Sequence, residues 1–234
     1  MRQIFLDTET TGLDPANGHR IVEIGAVELR QRHKTGNHFQ RYLNPQRDSD
    51  PEAERIHGLT TAFLSDKPLF AEVVDEFLEF VKDAELLIHN ATFDVRFLNS
   101  ELERIGREPL ETHCLRIVDT VAMARDLNPG KRSSLDALCE RYGIDNRHRT
   151  FHGALLDAEL LGEVYLAMTR GQDSLMMDDP TDTPMREDYY HGGGSRRNLK
   201  VVYASVDEID AHLEYLGRLN QEISKSGKTA LWKD

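Results

Sequence analysis

No apolar run in this chain approaches the roughly 18–20 residues that a helix needs to cross a bilayer, and the mean hydropathy is −0.55, which excludes a helical membrane span. Cysteine is scarce. Cys114 and Cys139 are the whole complement, without a CxxC spacing or a nearby histidine pair, so neither a disulfide framework nor a zinc site is expected and a reducing cytoplasm is the natural setting. Basic residues are in deficit, 29 Lys and Arg against 41 Asp and Glu, for a net charge of −12. That balance excludes a protein that grips nucleic acid by bulk charge alone. The chain opens at once on the charged, strand-like Met1-Arg2-Gln3-Ile4-Phe5-Leu6-Asp7, so no secretory signal is expected. What remains is a globular composition, 234 residues of which 39% are hydrophobic, enough for one large domain or a domain with an appendage.

Strand and helix patterns alternate from residue 1 to about 170, the mark of a layered α/β domain. Ile4–Leu6, Ile21–Leu29 and His38–Leu43 read as three strands in close succession, an antiparallel meander. Phe70, Val73, Val74, Phe77, Leu78 and Val81 recur at helical spacing, and Leu86-Leu87-Ile88 returns as a strand. A second helix carries Phe93, Phe97, Leu98, Leu102 and Ile105 and closes at Gly106; Ile117–Asp119 reads as a strand; Ser133 or Ser134 caps another helix. A last helix through Leu155, Leu160, Val164 and Met168 ends at Gly171. Residues 178–197, rich in Pro, Thr, Asp and Gly, read as a flexible linker. Beyond it lie a strand over Leu199–Ala204, a capping box at Ser205–Glu208, and a stripe of Ile209, Leu213, Leu216 and Leu219 that so short a segment cannot bury by itself. A partner surface is the expected sink.

Side chains alternate along a strand, so the carboxylates of Asp7 and Glu9 leave one face of the first strand together. A lone Asp-x-Glu is ordinarily a solvated strand end. Here a further acid, Asp94, follows the strand 86–88 at the start of a helix, where the ends of α/β strands bind ligands. His152 and Asp157 form a third cluster; five residues apart, they do not share a helical face, which puts His152 on the loop and Asp157 on the helix. Four acids gathered without a lysine repel one another, and hard oxygen donors of net charge about −4 are what two divalent cations such as magnesium or manganese require. Two such ions can hydrolyse a phosphodiester, with a histidine as base for the attacking water.

Asp7-x-Glu9, Asp94, His152 and Asp157, in this order and context, resemble the DEDD exonuclease family in its histidine subclass, and within it the epsilon proofreading subunits of bacterial DNA polymerase III. The likeness runs through Asp7–Leu13, Ile21–Val27, Pro51–Gly58, Leu86–Asp94, Pro129–Tyr142 and Arg149–Met168. It implies a ribonuclease-H-like fold, a mixed sheet flanked by helices, that hydrolyses DNA from the 3′ end and releases nucleoside monophosphates. By position, Asp7, Glu9 and Asp157 would hold the metals directly, Asp94 would act partly through water, and His152 would be the general base. The family's terminal-nucleotide pocket falls on Thr10, Ile56, His57, His89, Thr92 and Phe93. Residues 1–171 would be the exonuclease domain and 198–234 the segment that binds the polymerase alpha subunit, with Trp232 beside Ile209, Leu213 and Leu216. Gln172, Ser174, Leu175 and Met176, within 172–177, resemble the short sliding-clamp peptide of replication proteins, departing from it at Asp173 and in having Met for Phe. A small accessory subunit is a further expected partner. Arg147-His148-Arg149 and Lys131-Arg132 stand as candidate contacts to the DNA backbone. An exoribonuclease of the same family, and a non-catalytic scaffold, are the rival readings. Mutually repelling acids have no use in a scaffold.

Overall fold

Nine residues, Arg2–Thr10, make the first strand, β1. In the computed structural model, which describes residues 1–147, 151–170, 205, 210 and 212–216, it is the middle of a five-stranded sheet. β2 (Ile21–Arg30) and β3 (His33–Tyr42) follow as the expected antiparallel meander, and β4 (Glu85–Ile88) and β5 (Arg116–Asp119) add in parallel on the other side of β1. The order is β3-β2-β1-β4-β5. β1 and β3 are both longer than their apolar runs suggest. The first half of β3 is exposed and polar, His33-Lys34-Thr35-Gly36-Asn37, as befits an edge strand, and so carries no alternation to read.

Helices cover both faces. Ile4 and Leu6 point with Ile24, Leu86 and Ile88 toward α3 (Phe70–Val81) and α4 (Ala91–Arg104). Phe5, Val27, Leu29 and Leu87 point the other way, toward α5 (Thr120–Leu127), α6 (Leu135–Tyr142) and α7 (Ala154–Met168). Each of the fully buried Phe5, Phe77 and Phe97 contributes ~2–3 kcal/mol by leaving water, so the strand that carries the acids is clamped between two cores. Ser134, not Ser133, caps α6, accepting from the Ala137 N–H. Two short helices between β3 and α3 were not legible in the sequence, α1 (Pro51–His57) and α2 (Thr61–Leu64), nor was α5. Among the described residues no helix is long and apolar enough to cross a membrane.

The chain divides into two units, Met1–Pro180 and Thr181–Asp234. In the second, residues 212–216 are helical and Leu213 is exposed, with Leu216 half-buried. The expected linker, the strand 199–204, Ile209 and Trp232 lie outside the described residues, as do Gln172, Ser174, Leu175 and Met176.

Glu28, near the far end of β2, is 2% exposed. Burial pushes its pKa up, but donation from Arg2, Thr35 and Asn37 outweighs this and brings it from the ordinary 4.5 down to about 2. A depressed carboxylate stabilises the fold fully above its ordinary pKa and loses that contribution as pH falls from about 4.5 toward 2. Glu28→Gln is therefore expected to cost ~2 kcal/mol at pH 7 and much less at pH 3. Urea midpoints at the two pH values read the difference; an equal gap at both would count against the ion pair as its source.

Candidate active site

β1 and β2 pair with Asp7 opposite Gly25 and Glu9 opposite Glu23. Residues opposite one another in an antiparallel ladder share a face, and this is the face on which α7 lies. Its first turn rests directly on the strand: a Cβ at Gly25 would stand 2.1 Å from the Leu155 nitrogen, so glycine is required there. One turn into α7, Asp157 is 4% exposed. His152 precedes the Gly153 N-cap, on the loop as expected, and its N–H donates to the Ile56 carbonyl at 3.1 Å.

Asp94 arrives from the opposite layer, in the first turn of α4. Its Oδ1 accepts from the Thr8 N–H at 3.0 Å and from the Thr8 hydroxyl at 2.7 Å, which ties α4 to β1 between Asp7 and Glu9. Burial pushes its pKa up to about 7, with the nearby Asp119 adding to the rise and the Thr8 donors opposing it. α4 is entered through Asn90, whose φ of +67° is left-handed and costly for a non-glycine residue. Its N–H is held by the Asp119 carboxylate at 3.2 Å.

Asp7, Glu9, Asp94, His152 and Asp157 all line one cavity of about 260 Å³, shared with His89, Phe93 and the first turn of α6, Ser134–Asp136. No lysine or arginine among the described residues lines it. Ligand atoms of Glu9, His152 and Asp157 lie within 4.8 Å of one another, and His152 Nδ1 is 3.6 Å from Asp157 Oδ2. Carboxylate oxygens with one imidazole, gathered without a cationic side chain, fit a hard divalent cation, whose charge would relieve their repulsion.

A second cavity of about 390 Å³ adjoins the first, with Thr8, Glu9 and Phe93 lining both. Thr10, Leu13, Ile56 and His57 also line it, with residues 50–53 at the start of α1. Ile56 is half exposed, whereas His57 is buried; its Nδ1 accepts from the Leu59 N–H at 3.0 Å and its buried Nε2 has no hydrogen-bond partner. Of the six residues expected in a nucleotide pocket, Thr10, Ile56, His57 and Phe93 are thus brought together. His89 belongs to the acidic cavity instead, with Nδ1 2.9 Å from the Thr120 hydroxyl. Thr92, exposed at the start of α4, lines a separate groove with Ala16 and Val95. Arg147 makes a two-bond ion pair with Asp145 at 2.8 and 2.9 Å, and His148 and Arg149 lie outside the described residues.

Thr8, Glu23, Thr120 and the α6 terminus escaped the sequence reading. For Glu23 a signal existed, one of two acids, with Glu28, inside the apolar run Ile21–Leu29; the others look like ordinary strand and cap residues.

Residues 4–165 match the family model described as Exonuclease. The chain is 47% identical to the DNA polymerase III subunit epsilon of Escherichia coli over 240 residues, 99% of this chain and 97% of that one. It is 45% identical to that of Rickettsia felis over 222 residues, 94% of this chain and 97% of the relative. Among solved structures, exonuclease X in complex with 5′-overhanging duplex DNA superposes with a TM-score of 0.56 at 25% identity, over 72% of this chain and 91% of that one. The nuclease domain of 3′hExo, a DEDDh family member bound to rAMP, does so with a TM-score of 0.63 at 18% identity, over 72% and 92%, a likeness of fold. Sequence similarity on this scale across nearly the whole length, joined to that fold, leaves one assignment: the chain belongs to the exonuclease family, among the epsilon subunits of DNA polymerase III.

Proposed function

We propose that this chain removes nucleotides from the 3′ end of DNA and edits the primer terminus within a replicative polymerase in the cytoplasm. Asp7, Glu9, Asp94 and Asp157 would hold two divalent cations, Mg²⁺ or Mn²⁺, with His152 as general base. The observation that carries the reading is the pair of adjoining cavities, one lined by the four acids and, among the described residues, by no lysine or arginine, the other lined by Thr10, Ile56, His57 and Phe93. When bound, the cations supply positive charge to the phosphodiester and to the water that attacks it. Glu9 and Phe93 divide the cavities, so a terminal nucleoside in the larger one sets its phosphate over the acids. Ile56 and Phe93 offer the base an apolar surface. His152 presents its ring to the same cavity as the acids, with Nδ1 3.6 Å from Asp157 Oδ2, where it would take the proton of the attacking water. A paired 3′ end stays in the duplex, while a mismatched one frays at lower cost and reaches the pocket, so unpairing energy supplies the selectivity.

An acidic chain binds DNA weakly, and a tether offsets this by raising its concentration at the primer end. Residues 198–234, with Leu213 exposed, are assigned to the polymerase alpha subunit, 178–197 to a linker, 172–177 to the sliding clamp, and the exonuclease domain 1–171 to catalysis and to a small accessory subunit. The full chain should degrade 3′-mismatched DNA faster than RNA of equal length with Mg²⁺ and stop in excess chelator; undiminished cleavage in chelator would sink the metal assignment. A chain ending at Gly171 should keep this activity and fail to co-elute with the alpha subunit.

A further inference from the structure

The first turn of α7 needs a cap and has none of its own. Gly153 occupies the N-cap position, where no side-chain cap bond forms, although three or four backbone N–H groups at a helix start lack partners within the helix. Glu23 supplies the acceptor from 131 residues away: its Oε2 accepts from the Ala154 N–H at 3.1 Å. Its other oxygen accepts from Gln40 Nε2 at 2.8 Å, which holds the carboxylate at 1% exposure. Glu23 is also the cross-strand neighbour of Glu9. Two acids directly opposed on one face of a sheet repel, so this placement is tolerated because the α7 terminus, with its positive end, sits on one of them.

Resting on the hydrolytic reading above, we propose that Glu23 is a positioning residue: by capping α7 from β2, it sets Asp157 and His152 against Asp7 and Glu9. Two neighbours make the register strict. Gly25 lets Ala154 and Leu155 lie on the backbone of β2, and β2 is hydrogen-bonded to β1 throughout the segment that bears Asp7 and Glu9. The cap therefore ties the helix carrying one acid, through β2, to the strand β1 carrying two others. Ala154 stands between His152 on the loop and Asp157 on the helix, so a slip of the first turn moves both.

The test separates reach from charge. Glu23→Gln keeps an oxygen at the same length, with Gln40 able to turn its amide to match; Glu23→Asp keeps the charge but is one methylene short. In the full chain, Glu23→Gln should hold kcat on single-stranded DNA and the Mn²⁺ dissociation constant within about 3-fold of wild type. Glu23→Asp should lower kcat by ~30-fold with KM within about 2-fold, and weaken Mn²⁺ binding by ~10-fold, because displaced ligands lose both metal and alignment. Any result in which Glu23→Asp matches or exceeds Glu23→Gln overturns the proposal. A wild-type chain that binds Mn²⁺ but leaves DNA intact would instead strike at the nuclease reading, while the order of the two variants in Mn²⁺ binding would still decide the role of Glu23.

Discussion

Asp157→Ala is expected to slow hydrolysis of single-stranded DNA by ~10³-fold or more and to weaken Mn²⁺ binding together with it, whereas His152→Ala should lose ~10²–10³-fold in kcat with Mn²⁺ binding nearly intact. The contrast follows from where the two side chains stand. Asp157 is 4% exposed in the first turn of α7, on the face that meets Asp7 and Glu9, and its loss removes an anionic oxygen that no neighbour can replace. His152 is on the loop, with 47% of its side chain exposed, and its loss would remove a proton transfer. The pH–rate profile of His152→Ala should also lose the limb that belongs to the base. His152 has a nitrogen within 4.8 Å of carboxylate oxygens of Glu9 and Asp157, so Mn²⁺ titration is the deciding measurement: a His152→Ala chain that loses Mn²⁺ as severely as Asp157→Ala makes the histidine a ligand, and the base must then be sought elsewhere.

Asp94→Asn should inactivate the enzyme and stabilise it. Asp94 is 3% exposed and shares its cavity with Asp7, Glu9 and Asp157. Burial pushes its pKa up to about 7. A carboxyl whose folded pKa is raised binds more protons folded than unfolded between its ordinary pKa and the raised one, so the metal-free fold loses stability as pH climbs from about 4 to about 7. Asparagine keeps an oxygen for the two Thr8 donors and brings no charge. The metal-free variant is expected to gain on the order of 2 kcal/mol at pH 8, little at pH 4, and to lose activity by ~10²–10³-fold. Thermal unfolding in chelator at both pH values reads the first effect, and Mg²⁺-dependent cleavage the second. A variant less stable than wild type at pH 8 would show that Thr8 needs the charge of Asp94 and not its shape. Wild type should regain the deficit when Mn²⁺ is added, since a cation bound only by the folded state stabilises it.

What could be read along the chain was whatever local chemistry writes there. Alternation in β1 places Asp7 and Glu9 on one face whatever the rest of the protein does, and the 3.6-residue period marks α3 because it buries a stripe, whereas α7 shows as a long run apolar nearly all round. The step from the strand 86–88 into a helix puts Asp94 at a strand end, and the five-residue spacing of His152 and Asp157 separates loop from helix. By contrast α1 and α2 are too short to show a period, and the polar half of β3 is held by backbone pairing to β2 rather than by any burial pattern. These elements matter to the site, since α1 supplies Ile56 and His57 to the larger cavity.

Composition and period by themselves determined a layered α/β domain, spacing gathered its dispersed acids into a cluster that calls for metal, and the resemblance that those five residues carry pointed to an exonuclease. Tertiary structure alone decided how that cluster is held. Thr8 reaches Asp94 across 86 positions and Glu23 reaches Ala154 across 131; Thr92 lines a separate groove while Phe93 beside it lines both cavities. The reason is physical. Strand and helix periods arise from contacts a few residues long, whereas a buried carboxylate is governed by whichever donors the packing of distant elements brings within about 3 Å.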